Sequence, residues 1–75
     1  GPEERAAEYL QLSLRTKYGA NLEALRGMGR RLPQPAVDKW VDRGFLTCQN
    51  DVICLTGEGW LFMDSVVADL YSNLE

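Results

Sequence analysis

Histidine is missing from this chain of 75 residues, which excludes the commonest general base and the commonest metal-ligating side chain. The two cysteines are too few for a disulfide framework and, without histidine, supply too few ligands for a closed zinc site. We expect them to act as small, partly buried apolar residues in a reducing, cytoplasmic setting. Because no other catalytic constellation is visible, we predict no catalytic, cofactor-binding or metal-binding residue in this chain itself.

Positive charge is also scarce in this sequence. Eight lysine and arginine residues stand against eleven aspartate and glutamate residues, which gives a net charge of -3. Nucleic-acid-binding domains usually concentrate positive charge, because counterion release from phosphates supplies much of their affinity. Long apolar runs are missing as well, and none approaches the roughly 20 residues of a membrane span. The composition therefore disfavours DNA as a partner and predicts no membrane span.

The composition that remains is typical of one small folded domain. Hydrophobic residues make up 45% of the sequence and charged residues 25%, which rules out a disordered chain. Gly1-Pro2 resembles the remnant of a protease-cleaved tag, so a single domain is assigned to residues 3–75. We expect this domain to be cut from a longer protein.

Apolar periodicity predicts three helices in the first part of the chain, over residues 3–16, 22–26 and 34–43. Gly19 is placed to end the first helix, and Asn21 is a good N-cap for the second. The predicted buried faces of the first and third helices consist of Ala7, Tyr9, Leu10, Leu12, Leu14, Val37, Trp40 and Val41.

Two short strands follow, over residues 45–49 and 52–56, joined by a turn at Asn50-Asp51. A two-residue loop and a three-residue loop give different registers, and the sequence leaves both open. The two-residue loop places Cys54 on the opposite face from Cys48. It pairs Leu46 with Leu55 and Cys48 with Ile53.

A single long helix is predicted after Thr56, which is a good N-cap. Its apolar stripe is wider than one neighbouring element would cover. We interpret the surplus residues Leu61, Phe62 and Val66 as a possible docking surface for a missing partner. Asp64 and Asp69 are expected to be solvated. The stripe itself consists of Trp60, Met63, Val67, Leu70 and Leu74, with Trp60 expected in the core.

The order helix, helix, helix, strand, strand, helix predicts a winged helix-turn-helix fold of the α+β class, mainly helical with a small hairpin. In DNA-binding members of this class the third helix enters the major groove and the wing contacts phosphates. Here the predicted exposed face of that helix sums to zero charge, and no basic residue lies within 45–74. A DNA-binding regulatory domain therefore stays the alternative to an interaction module. The face in question carries Asp38, Lys39, Asp42 and Arg43.

One basic cluster precedes the third helix and consists of Arg26, Arg30 and Arg31. It is a candidate contact for a phosphate, a carboxylate or an acidic partner. The alternative is that these side chains are solvated loop charges that neutralise nearby acids.

Several short motifs, taken in order, resemble a known family. The chain resembles the C-terminal domain of oxygen-independent coproporphyrinogen III oxidases and their haem-chaperone relatives, over nearly its whole length. Arg15 and Gly19 match the family's pattern as structural positions, and Glu8 fits an acidic position early in the first helix. The motifs are Tyr9-Leu10, Leu14-Arg15, Gly19, Gly44-Phe45-Leu46 and Ile53-x-Leu55-Thr56-x-x-Gly59.

The resemblance implies a detached module of a radical S-adenosylmethionine protein. In such proteins a Cys-x-x-x-Cys-x-x-Cys motif in an N-terminal barrel holds a 4Fe–4S cluster, and the C-terminal domain helps cover the substrate site. This chain has no such motif. The expected role is therefore a non-catalytic accessory domain whose partner is the barrel of the same parent chain. Porphyrin or haem is a possible further ligand, and the parent is either an oxidase or a haem chaperone.

Overall fold

Five helices and three short strands form the part of the chain that the structure, a computed structural model, describes. It describes residues 2–75, with side chains from Glu4 onward; Gly1 of the predicted tag remnant lies outside the described residues. The fold confirms the predicted α+β class, and its helices and strands follow roughly the predicted winged-helix order. The elements are α1 (Pro2–Leu14), β1 (Ala20–Asn21), α2 (Leu22–Gly27), α3 (Gln34–Asp42), β2 (Leu46–Gln49), β3 (Val52–Leu55), α4 (Gly57–Leu61) and α5 (Met63–Ser72).

The passage from α1 to α2 follows the predicted signals. Gly19 adopts φ 72°, and a Cβ atom there would lie 2.2 Å from the carbonyl oxygen of Ile53, so only glycine fits. Asn21 caps α2, because its side-chain oxygen accepts hydrogen bonds from the backbone N–H of Glu23 at 2.8 Å and of Ala24 at 3.2 Å. The helix therefore begins where the sequence predicts.

Strand β1 was not predicted from the sequence. Its two residues pair antiparallel with β3 and complete a three-stranded sheet in the order β1-β3-β2. The phenolic oxygen of Tyr9 accepts a hydrogen bond from the Asn21 N–H at 2.9 Å, which ties α1 to this strand. A strand of two residues is too short to show an alternating apolar pattern, so β1 can be recognised only from its pairing with β3.

The hairpin between β2 and β3 has the two-residue loop. Asn50 and Asp51 adopt φ 53° and 63°, the left-handed conformation that a two-residue turn requires. Leu46 therefore pairs with Leu55 and Cys48 with Ile53, which resolves the register left open by the sequence. Cys48 nevertheless lies beyond the core and is exposed, whereas its three apolar companions on that face are buried.

The core is formed where α1, α3 and α5 close over the sheet. Leu12, predicted to widen the buried face of α1, is instead 67% exposed, because Ala6 joins Leu10 and Leu14 on that face. Trp60 was also predicted in the core and is 40% exposed. The buried residues are Ala6, Leu10, Leu14, Ala20, Leu22, Leu25, Ala36, Val37, Trp40, Leu46, Ile53, Leu55, Val66, Val67 and Leu70.

The predicted single C-terminal helix is wrong, because the chain breaks at Phe62. This residue adopts φ -118° and ψ 26°, which ends α4 and starts α5. The predicted N-cap is correct: the Gly59 N–H donates to the Thr56 hydroxyl oxygen at 3.0 Å. Gly59 packs so tightly that a Cβ atom would lie 2.0 Å from the Phe45 carbonyl oxygen. The short helix α4 is therefore held against the hairpin while its outer side remains open.

Candidate docking surface

Three consecutive large apolar side chains lie on the outside of α4 and its junction with α5. Trp60 is 40% exposed, Leu61 79% and Phe62 51%. We call these three residues the apolar patch. They line a shallow, open concavity of about 170 Å³ together with Met63, Asp64 and Ser65. An exposed cluster of this kind, rather than a single exposed leucine, is typical of an interaction site.

Val66, the third residue of the predicted docking surface, does not reach it. It is fully buried, and Val67 and Leu70 are buried beside it on α5. The break at Phe62 is the physical reason, because a continuous helix would have kept Leu61, Phe62 and Val66 on adjoining sides. Trp60 takes its place in the apolar patch, which could not be predicted from the sequence because the spacing of Trp60 fits the buried stripe.

The apolar patch rests on a stack of aromatic rings. The Phe62 ring stacks on Phe45 with centroids 5.1 Å apart, and Phe45 stacks on Trp40 at 5.7 Å. Lys39 and Arg43 lie over the Trp40 ring at 5.2 and 5.3 Å from its centroid. The Phe62 ring is therefore connected to α3 through Phe45.

Asp69 joins α5 to α3 and is not a solvated charge as predicted. Its carboxylate accepts a hydrogen bond from the Trp40 indole N–H at 2.8 Å and pairs with the Lys39 ammonium at 2.7 Å. The hydrogen bond from Lys39, followed by that from Trp40, lowers the pKa of Asp69 from its ordinary value, against the opposing effect of burial. A buried tryptophan needs a hydrogen-bond acceptor for its indole N–H. The predicted burial of Trp40 was therefore the one sequence signal from which an acceptor such as Asp69 could have been expected.

Two charged residues of α3 are already engaged within the domain. Lys39 pairs with Asp69, and Asp38 accepts a hydrogen bond from the Gln34 amide at 2.8 Å. At the wing tip, Asp51 forms an ion pair of 2.7 Å with Arg26. The face that would approach DNA thus presents no surplus of positive charge.

The predicted basic cluster comes together around a second shallow concavity of about 250 Å³, lined by Arg26, Gly29, Arg30 and Arg31. Arg31 pairs with the Glu75 carboxylate at 2.9 Å, and the Arg30 guanidinium donates to the main-chain oxygens of Leu74 and Glu75. Arg26 is held by the wing. Each guanidinium therefore has an acceptor in the fold, and an anion contact there stays a prediction.

The two cysteines are separate and differ in exposure. Cys48 is exposed, and Cys54 is half-buried against the Lys17 carbonyl oxygen at 3.9 Å. Partial burial, together with the nearby Asp51 and Asp38 carboxylates, raises the pKa of the Cys48 thiol. Among the described side chains no group of three or more histidine, cysteine or acidic residues is placed to hold a metal ion. Nor does any helix within residues 2–75 have the length and apolar character needed to cross a bilayer.

Comparison of the sequence with protein-family models, with curated proteins and with solved structures gave no match. The likeness to the coproporphyrinogen III oxidase family therefore rests on the residue motifs of this chain alone. The surface that most needs an explanation is the apolar patch.

Proposed function

We propose that this chain is a non-catalytic accessory domain. It docks through the apolar patch on the catalytic barrel of an oxygen-independent coproporphyrinogen III oxidase-like radical S-adenosylmethionine protein, and it helps cover the substrate site there. The observation that carries this proposal is the exposure of Trp60, Leu61 and Phe62 on α4 and its junction with α5. Two of the three, Trp60 and Phe62, are aromatic, and aromatic side chains are enriched in protein interfaces.

Two features of the fold support docking at this place. The domain completes its own core without the patch, since fifteen other hydrophobic residues are buried. The Phe62 ring already stacks on Phe45 within the domain, which lowers the side-chain entropy that this residue loses when a partner binds. A preformed apolar surface on a stable domain is suited to a lasting contact within one protein.

The occupant we assign is the barrel of the same parent chain. The motif order from Tyr9 to Gly59 supports this choice, as does the lack of any ligand set for a cluster within the chain. In this proposal the 4Fe–4S cluster and S-adenosylmethionine belong to the barrel, and the parent acts on porphyrin or haem in the cytoplasm. An interaction module unrelated to porphyrins would use the same patch. The sequence of the parent protein distinguishes that alternative from the proposed accessory domain.

The DNA-binding alternative shares its order of elements with this fold, but the charges on the surface concerned oppose it. Asp38 and Asp42 are exposed on α3, where a recognition helix would meet phosphates. The wing tip is short and is held to α2 both by Arg26 and by the hydrogen bond from the Leu22 N–H to the Asp51 carbonyl at 2.7 Å. We expect no binding to random duplex DNA even at low ionic strength, where electrostatic binding is strongest.

The first test is the coding sequence upstream of Glu3. The proposal expects a Cys-x-x-x-Cys-x-x-Cys motif there, and a parent without one contradicts it.

The second test compares variants of the full parent chain by hydrogen exchange of the segment 57–63. Leu61→Asp places a charge in the docked interface and is expected to raise exchange in that segment. Leu12→Asp is the matched control, because Leu12 is a similarly exposed leucine on α1. Equal exchange in both variants and in the unchanged parent would count against docking through the patch.

A further inference from the structure

Two acidic side chains border the apolar patch. Glu58 precedes Leu61 by three positions within α4, so the two side chains are neighbours on the surface of that helix. Asp64 lines the same concavity as the patch residues. Both are exposed, with 91% of the Asp64 side chain open to solvent. The patch is therefore apolar at its centre and acidic at its rim.

These two acids are the ones that the fold itself uses least. Residues 44–75 contain five acidic side chains and no lysine or arginine. Three of the five pair closely with cations from the preceding residues: Asp51 with Arg26, Asp69 with Lys39 and Glu75 with Arg31, at 2.7, 2.7 and 2.9 Å.

The other two remain for a partner. Asp64 has only Arg15 at 3.7 Å, an exposed pair that contributes little to stability. Within residues 4–75 no side chain makes a hydrogen bond or ion pair with the Glu58 carboxylate. Both carboxylates are thus available at the rim of the patch.

We propose that the partner surface is apolar and bordered by lysine or arginine side chains that pair with Glu58 and Asp64. This inference rests on the proposed function for the existence of a docking partner, and it adds the chemistry of that partner. Opposite charges at the rim of an interface speed association and set its orientation, while the apolar centre supplies most of the affinity. The same rim repels phosphate backbones and anionic lipid surfaces.

The test uses the 75-residue chain and a synthetic amphipathic helix built from leucine and lysine. The matched peptide replaces every lysine with glutamate. We expect the lysine peptide to bind and the glutamate peptide to bind at least about tenfold more weakly at low ionic strength. Glu58→Lys/Asp64→Lys is expected to remove about tenfold of the affinity for the lysine peptide and to flatten its salt dependence. Leu61→Asp should weaken binding of the lysine peptide as well.

The control is Glu8→Lys/Glu23→Lys, which changes the net charge equally at exposed positions on α1 and α2. Equal losses from both double variants would show attraction to net charge alone and would overturn the inference, as would equal binding of the two peptides. If Glu58→Lys/Asp64→Lys unfolds the chain, Glu58→Gln/Asp64→Asn is expected to give a smaller loss in the same direction, and no loss there is contradictory.

The results that would contradict the basic rim of the partner differ from those that would contradict the proposed function. Charge-independent binding of the peptides, combined with protection of the patch in the parent chain, would remove the basic rim and leave docking intact. Charge-selective binding at the patch, combined with no protection in the parent, would assign the patch to a different protein with a basic rim. Selective binding to anionic phospholipid vesicles would contradict the inference directly.

Discussion

The two halves of this domain share one core, but their surfaces differ in charge and in exposed apolar side chains. Residues 4–43 carry all eight lysine and arginine residues, whereas residues 44–75 carry none and hold five acids. Exposed apolar side chains differ as well: Leu12 and Tyr18 lie apart in the first half, whereas the second half has the three consecutive patch residues in addition to Tyr71. The second half therefore carries the features expected of a docking surface. The first half supplies the cations that pair with acidic residues of the second half.

The contacts between the halves show how this division is maintained. The stack from Trp40 through Phe45 to Phe62 passes from α3 to the patch. Beside it, Asp69 of α5 accepts from both Trp40 and Lys39. A short helix such as α4 could not hold large apolar residues outward without this support, because isolated helices of that length are unstable.

The largest effect is expected where α4 meets the hairpin. Gly59→Ala places a methyl group 2.0 Å from the Phe45 carbonyl oxygen, so either α4 or the hairpin must move. We expect a loss of about 2 kcal/mol or more in the free energy of unfolding. Gly57→Ala is the control, since no atom lies within 4 Å of the added methyl. Similar urea midpoints for the two variants would show that the close approach is not required.

A smaller effect is expected when the contact between the halves is weakened at Asp69. Asp69→Asn removes the ion pair with Lys39 and weakens the bond from Trp40, and we expect it to cost about 1–2 kcal/mol at pH 7. Because the folded-state pKa of Asp69 lies below its ordinary value of 3.8, this contribution is complete above that pH and is lost as the pH falls through the folded-state pKa.

The acid dependence is checked by urea unfolding from pH 7 down to pH 2. The difference between the unchanged chain and Asp69→Asn should shrink below about pH 4. A constant difference across this range would mean that the Asp69 charge does not stabilise the fold.

The smallest effect on folding is expected at the patch itself. Leu61→Asp and Leu12→Asp change leucines that are 79% and 67% exposed in the two halves, and each should alter the free energy of unfolding by less than about 0.5 kcal/mol. Thermal unfolding of both variants measures this. A large loss for Leu61→Asp alone would indicate that the patch belongs to the domain's own core.

Local signals in the sequence predicted most of the fold. Asn21 and Thr56 carry the side-chain oxygens that cap helices, and both do so. The hairpin register followed once the turn at Asn50-Asp51 was known to have two residues, because each register fixes which side chains face the core. These features depend on near neighbours in the chain.

The features that the sequence did not predict depend on distant contacts. No proline marks the break at Phe62; the ring there stacks on Phe45, seventeen positions earlier. Strand β1 exists only through its pairing with β3. The patch was predicted in part, with Leu61 and Phe62 correct as exposed residues, but Val66 and Trp60 exchanged places because the helix was taken as continuous.

Hydroxyl-radical footprinting of the isolated chain and of the full parent chain tests the docking claim most directly. The method reports the solvent exposure of individual side chains, and Leu12 and Tyr18 serve as exposed references in the first half. We expect Trp60, Leu61 and Phe62 to react readily in the isolated chain and to be protected in the parent, while the two references stay reactive in both. Patch residues that react equally in the two samples would contradict it.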